Sequence, residues 1–112
     1  MNPSDLYSDA LSALTAARSN MLTLQWQAAI DQGTQEQRLE ASTLLIHVQQ
    51  AIVTLSNASL SDIASSMKEN EAALSQATNS LQNAQDDITR VATVLNSIST
   101  MLQVVSKIVC MV

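Results

Sequence analysis

Phenylalanine is absent from the sequence, and Tyr7 and Trp26 are its only aromatic residues. Gly33 is the only glycine and Pro3 the only proline. Sandwiches, barrels and α/β folds turn the chain many times and use glycine and proline to do so. Their near absence leaves long helices with few breaks. Cys110 is the only cysteine and His47 the only histidine. An intrachain disulfide and a cysteine or histidine metal cluster are therefore excluded. Charge is also scarce, at 13% of 112 residues, with a formal net charge of −5. No basic run is present to neutralise phosphates, so nucleic acid is not an expected partner.

What remains is aliphatic and neutral polar. Apolar residues make up 46% of the chain, almost all of them Ala, Leu, Val, Ile and Met. A core without rings suits helices packed side by side with interlocking aliphatic side chains. Most of the other residues are Ser, Thr, Asn and Gln. A surface of that kind repels a like surface only weakly.

The helices can be read from caps and spacing. Asn2 reads as an N-cap, Pro3 as the first helical position, and Asp5 as a capping-box acid. Leu6, Ala10, Ala13, Ala17, Met21, Leu24 and Ala28 then recur at helical spacing, which predicts a helix over about 3–31. Gly33 is expected to end it in a left-handed conformation. Thr34 and Gln37 form a capping box for a second helix, over about 35–57. Ala41, Leu45, Val48, Ile52 and Leu55 are its expected core stripe, broadened by Leu44 and Ile46. The short turn predicts antiparallel packing of these two helices. The pattern slips at Asn57-Ala58-Ser59, where Ser59 or Ser61 is a candidate cap; a tight turn and a register skip both fit.

The strongest periodicity follows. From Leu60, apolar positions alternate by three and four to Val112, interrupted only by Asn70. The period predicts one coiled-coil-type helix over about 60–112. Straight, it would be about 80 Å long. Its seam, the candidate interaction site, includes Leu74, Leu81, Ile88, Val91, Leu95, Ile98, Leu102, Val105 and Val109. The expected fold is all-α: a single domain, 1–112, forming an antiparallel bundle of about three helices with a long C-terminal helix. The sequence leaves open whether that helix folds back on its own chain or pairs with another.

Chemistry is not expected. His47 has no acid, thiol or imidazole at i+3 or i+4. Asp86 and Asp87 point about 100° apart on a helix and read as an exposed acidic spot. No nucleophile motif, phosphate loop or nucleotide fingerprint occurs. No catalytic, cofactor-binding or metal site is assigned. Residues 91–112 approach the length of a membrane span, but Asn96, Ser97, Ser99, Thr100, Gln103, Ser106 and Lys107 interrupt them. Membrane contact is open but not favoured over packing against protein. The N-terminal residues lack a signal-peptide pattern. The expected location is cytoplasmic, or outside the cell after export without a cleaved signal.

In general character the chain resembles small helical subunits of bacterial secretion machinery, such as filament, needle or translocon-associated proteins. The resemblance lies in acidic charge, richness in Ala, Ser, Gln and Asn, and an apolar heptad C-terminus. It implies a self-assembling structural subunit. The competing expectations are an acidic adaptor, chaperone or immunity-type protein bound to a helical partner, and a membrane-active protein using its C-terminal segment. The expected partner is a second copy or another helical protein.

Overall fold

The computed structural model describes residues 3–109. Six helices occupy them: α1 (Pro3–Met21), α2 (Leu24–Asp31), α3 (Gln35–Asn57), α4 (Leu60–Glu69), α5 (Glu71–Ala84) and α6 (Val91–Ile108). No strand occurs among the described residues. Asn2, named above as a cap, Cys110, the one cysteine, and Val112, the end of the apolar alternation, lie outside them.

The α3 boundaries follow from its capping chemistry. Thr34 Oγ1 accepts from the Gln37 backbone N–H, and the Gln37 side chain accepts from the Thr34 N–H, each at 3.1 Å. Two otherwise unpaired donors are thereby satisfied at once. Gly33 does not adopt the left-handed conformation expected of it, since no described residue has positive φ. Its value is room: a Cβ there would run into the Gln37 side-chain oxygen that completes the box.

The first expected helix is two helices. Thr23 interrupts it, donating to the Asn20 carbonyl at 2.7 Å and accepting from the Trp26 N–H at 3.2 Å. A threonine hydroxyl that bonds nearby backbone competes with helix continuation and restarts the helix as an N-cap. The register changes at that point. Leu24, expected in the stripe, is 88% exposed, while Trp26 and Ile30 are buried instead.

The single long C-terminal helix is not observed; three helices take its place. At Asn70 the backbone leaves helical geometry (φ −109°, ψ 18°), and its side-chain amide donates to the Ser66 carbonyl at 2.8 Å. This local bond offers the backbone an alternative to the helical ladder, so α4 and α5 meet at a kink. The second break reverses the chain. Asp87 Oδ1 accepts from the Thr89 N–H at 3.1 Å and from the Thr89 hydroxyl, and Arg90 Nε lies 3.8 Å from Asp87 Oδ2. An Asx-type turn of this kind reverses a chain without glycine. The bonds from Thr89, with the nearby Arg90 charge, hold the exposed Asp87 carboxyl below its usual range.

Four long elements therefore pack together: α1, α3, the kinked α4–α5 pair, and α6. The Tyr7 hydroxyl donates to the Leu55 carbonyl, placing the start of α1 beside the end of α3. The Asn20 side chain donates to Gln85, placing the end of α1 beside the end of α5. So α1 runs antiparallel to α3 and parallel to α5. Thr78 Oγ1 donates to Met101 Sδ at 3.7 Å between antiparallel α5 and α6. Around the bundle the order is α1, α3, α6, α5, each helix packed on its neighbours. Consecutive α3 and α4 lie across a diagonal, joined by Ala58 and Ser59. The molecule measures 43 × 26 × 19 Å.

Candidate interaction surface

The seam residues named from the sequence do come together, but inside the chain. Leu74, Leu81, Ile88, Leu95, Ile98, Leu102, Val105 and Val109 are all buried, and Val91 packs against them half-buried. They join Leu6, Ala10, Leu14 and Ala17 of α1 and Ala41, Leu44, Val48 and Leu55 of α3 in one continuous apolar core. In the closed bundle the heptad stripe faces neighbouring helices of its own chain. Ala77 and Ala84 of α5 and Ala10, Ala13 and Ala17 of α1 are the small side chains of that core. The bulkier Val, Leu and Ile of α6 fill the centre.

Helix α6 is also the one described helix long and apolar enough to cross a membrane, judged by length and composition. Its mean hydropathy is 1.2 and 44% of its residues are buried. Val94, Leu95, Ile98, Met101, Leu102, Val104, Val105 and Ile108 are its inward face. That distribution is also what the core helix of a bundle displays.

The exposed large apolar side chains lie elsewhere: Leu22, Leu24, Leu39, Ile46 and Val53. Three of them share α3 at seven-residue intervals. Leu39 is 63% exposed, Ile46 55% and Val53 59%. At about 100° per residue they sit some 140–180° around the helix from Val48, which is fully buried. The buried face of α3 is Ala41, Leu44, Val48, Ala51 and Leu55. Leu45 and Ile52, expected in the core, are only half-buried at its edges, and Ile46, expected to broaden the core, faces solvent. Helix α3 is thus apolar on two opposite faces. Only one of them is used by the bundle.

The outer face is a shallow groove lined by Ile46, Gln49, Gln50, Val53 and Thr54. Its exposed neighbours from Thr43 to Asn57 are Thr43, His47, Gln49, Gln50, Ser56 and Asn57, none of them Asp, Glu, Lys or Arg. Glu36, Arg38 and Glu40 cluster at the N-terminal end of the helix. The sequence reading missed this stripe, although its signal, aliphatics at i, i+7 and i+14, was present. The stripe was absorbed into the broad apolar pattern of the helix.

A second open groove, larger at about 510 Å³, runs along α1 and is lined by Tyr7, Ser8, Leu11, Ser12, Thr15 and Ala16. Met21, Trp26, Ile30 and Ala41 enclose a gap of about 70 Å³ where α1, α2 and α3 meet. A cleft over the α5–α6 turn is lined by Ser80, Asn83, Asp86, Asp87, Arg90 and Thr93. Asp86 and Asp87 are both exposed, as is His47 on the outer side of α3. Among the described residues no group of three or more His, Cys, Asp or Glu side chains converges on a point. No protein-family profile, curated protein or solved structure matches the chain.

Proposed function

We propose that this protein is a non-enzymatic helical subunit that associates through the outer face of α3. The observation that carries the reading is the solvent-facing row of Leu39, Ile46 and Val53, which runs from the charged start of α3 onto a stretch, Thr43 to Asn57, without formal charge. Single exposed leucines are ordinary on soluble proteins, whereas an ordered apolar row is a mark of interfaces. The row follows one side of a rigid helix for about 21 Å, which fits helix-on-helix packing better than a small-molecule pocket. The non-enzymatic part rests on the sequence, which carries no catalytic motif. Its general likeness to secretion-machinery subunits favours self-assembly over an adaptor role, and location in or outside the cytoplasm stays an expectation of the sequence.

A membrane-active role has one observation in its favour, the apolar length of α6. Helix α6 would have to leave the bundle core first, and that makes it the second reading.

The test is mass in solution by size-exclusion chromatography with light scattering, over a hundredfold concentration range. The expected result is a mass that rises with concentration for the natural sequence. Ile46→Lys, an exposed substitution, should hold the mass at that of the monomer with its thermal melt little changed. A natural chain that stays monomeric throughout, with Ile46→Lys indistinguishable from it, contradicts self-association.

A further inference from the structure

The apolar repeat keeps step through a reversal that does not need it. Leu81, Ala84, Ile88, Val91 and Leu95 alternate by three and four, although α5 ends at Ala84 and α6 starts back from Val91. Two antiparallel helices meet through space, so the loop between them sets no helical phase. A continuous helix does require that phase. We infer that residues 85–90 are a hinge with two states: the turn of the closed monomer, and a helical state that joins α5 to α6 and carries α6 into the core of a second copy. The fold itself fixes the occupant. The groove between α3 and α5 that one copy's α6 vacates is the groove that the other copy's α6 already fits. The exchange uses the core and does not rest on the outer face of α3.

The hinge is free to become helical. It contains neither glycine nor proline, and none of its residues has positive φ. Gln85 still has helical geometry, with φ −69° and ψ −16°. Past Gln85, the side-chain bonds that shape the turn are exposed ones: Thr89 to Asp87 Oδ1, and Arg90 Nε at 3.8 Å from Asp87 Oδ2. Exposed contacts of this kind hold a conformation only weakly. Helix α6 also starts without a side-chain cap and without an acid in its first turn. In a joined helix its first backbone N–H groups pair with carbonyls of the hinge and of α5, as in any helical ladder. That helix, Glu71–Ile108, is about 57 Å long, and Ile88 stands in the middle of its seam. Because α5 and α6 are antiparallel, the two joined helices are antiparallel too. Their hinges, each carrying Ile88, come face to face at the two-fold axis.

The inward contacts of α6 are the same in both states, made with its own α3 and α5 or with those of the other copy. The states differ in the hinge and in association, so protein concentration during folding decides between them. Passage from one to the other requires α6 to leave the core. It is therefore slow, and an exchanged dimer persists after dilution, unlike one held by a surface patch.

Refolding from urea at low and at high protein concentration, followed by size-exclusion chromatography in dilute buffer, tests the exchange. The chain used carries Ile46→Lys, which removes the surface association proposed above. A dimer that persists for hours after dilution is expected from the high-concentration refold alone. Asp87→Ala removes the turn bonds and favours helix, so it should enlarge that dimer peak severalfold. Arg90→Pro should abolish it. The φ of −80° at Arg90 suits proline in the turn, whereas in a joined helix proline deletes a ladder bond and clashes with the preceding turn. Both positions are exposed, so neither change disturbs the core. Thr78→Cys with Met101→Cys, in a Cys110→Ser background, then locates α6, since the two natural side chains touch between α5 and α6. Oxidation should close a link within each chain of the monomer and between the two chains of the dimer. No persistent dimer from any of these chains, a dimer insensitive to Arg90→Pro, or one whose cysteine links stay within each chain overturns the exchange. None of those results touches the α3 association, which the Ile46 comparison decides separately.

Discussion

A chain ending at Arg90 is expected to lose cooperative folding altogether. Helix α6 contributes eight buried apolar side chains to the core, packed on α3 on one side and α5 on the other. Burying such a side chain is worth roughly 1.5–3 kcal/mol, an upper range because unfolded chains are already partly collapsed. Even at half that value the eight together are comparable to the whole stability of a small domain, about 5–15 kcal/mol. Without α6 the inner faces of α3 and α5 would meet water. Far-UV circular dichroism during urea titration should show a cooperative transition for the full chain. The truncated chain should show a gradual, sloping loss of helix, or aggregate. A truncated chain that still unfolds in one sharp transition would mean that α6 is an appendage and not a wall of the core.

The second large effect is local. Ile98 lies in the middle of α6 with no exposed surface. Ile98→Ala removes three carbons and leaves a cavity in the core. Such deletions cost about 2–5 kcal/mol, which in a domain of this size lowers Tm by roughly 10 °C or more. Ile46→Ala deletes the same atoms from the outer face of α3 and should change stability by less than about 0.5 kcal/mol in the monomer. The contrast matters because both isoleucines sit in apolar stripes of nearly equal appearance in the sequence. Measured by urea unfolding in dilute solution, two equal losses would contradict the assignment of one stripe to the core and the other to the surface.

How far the sequence could be read depended on which signal each element carried. The bounds of α3 were legible, 35–57 expected and Gln35–Asn57 found, because Thr34 and Gln37 supply a two-sided cap that acts locally. Helices α1 and α3 are antiparallel, as expected of the first two helices, but the short turn at Gly33 joins α2 to α3, and α2 stands between α1 and α3 in the chain. The long C-terminal helix was not. Periodicity reports which side chains are buried; it does not report the direction of the chain. Ile88 shows why: it lies within the α5–α6 turn and is still buried, so the alternation of threes and fours runs through a full reversal without a skip. The turn itself is built from Asp87, Thr89 and Arg90, residues equally at home on a helix surface. Asn70 was noticed as an interruption of the seam, but its bond to the Ser66 carbonyl appears only in three dimensions. Likewise Thr23 reads as an ordinary helix residue until its hydroxyl is seen capping α2. The candidate surface was hidden for a related reason. Helix α3 has aliphatic residues on both faces, and only packing tells which of them the bundle consumes.

The central claim is that the apolar repeat from Leu60 onward closes on itself within one chain. A spin-label distance tests it most directly, using Lys68→Cys and Lys107→Cys in a Cys110→Ser background, diluted with unlabelled chain to suppress distances between copies. Both lysines are exposed, so labelling leaves the core intact. In one continuous helix the two sites would lie about 58 Å apart, longer than the whole molecule at 43 Å. With the chain reversed at Asp86–Arg90, α4 packs beside α6 and the account predicts a narrow distribution below about 30 Å, set by the 8–10 Å spacing of packed helices and the label arms. A distribution centred near 58 Å would contradict the bundle, return the heptad seam to the surface, and make it the interface in place of α3.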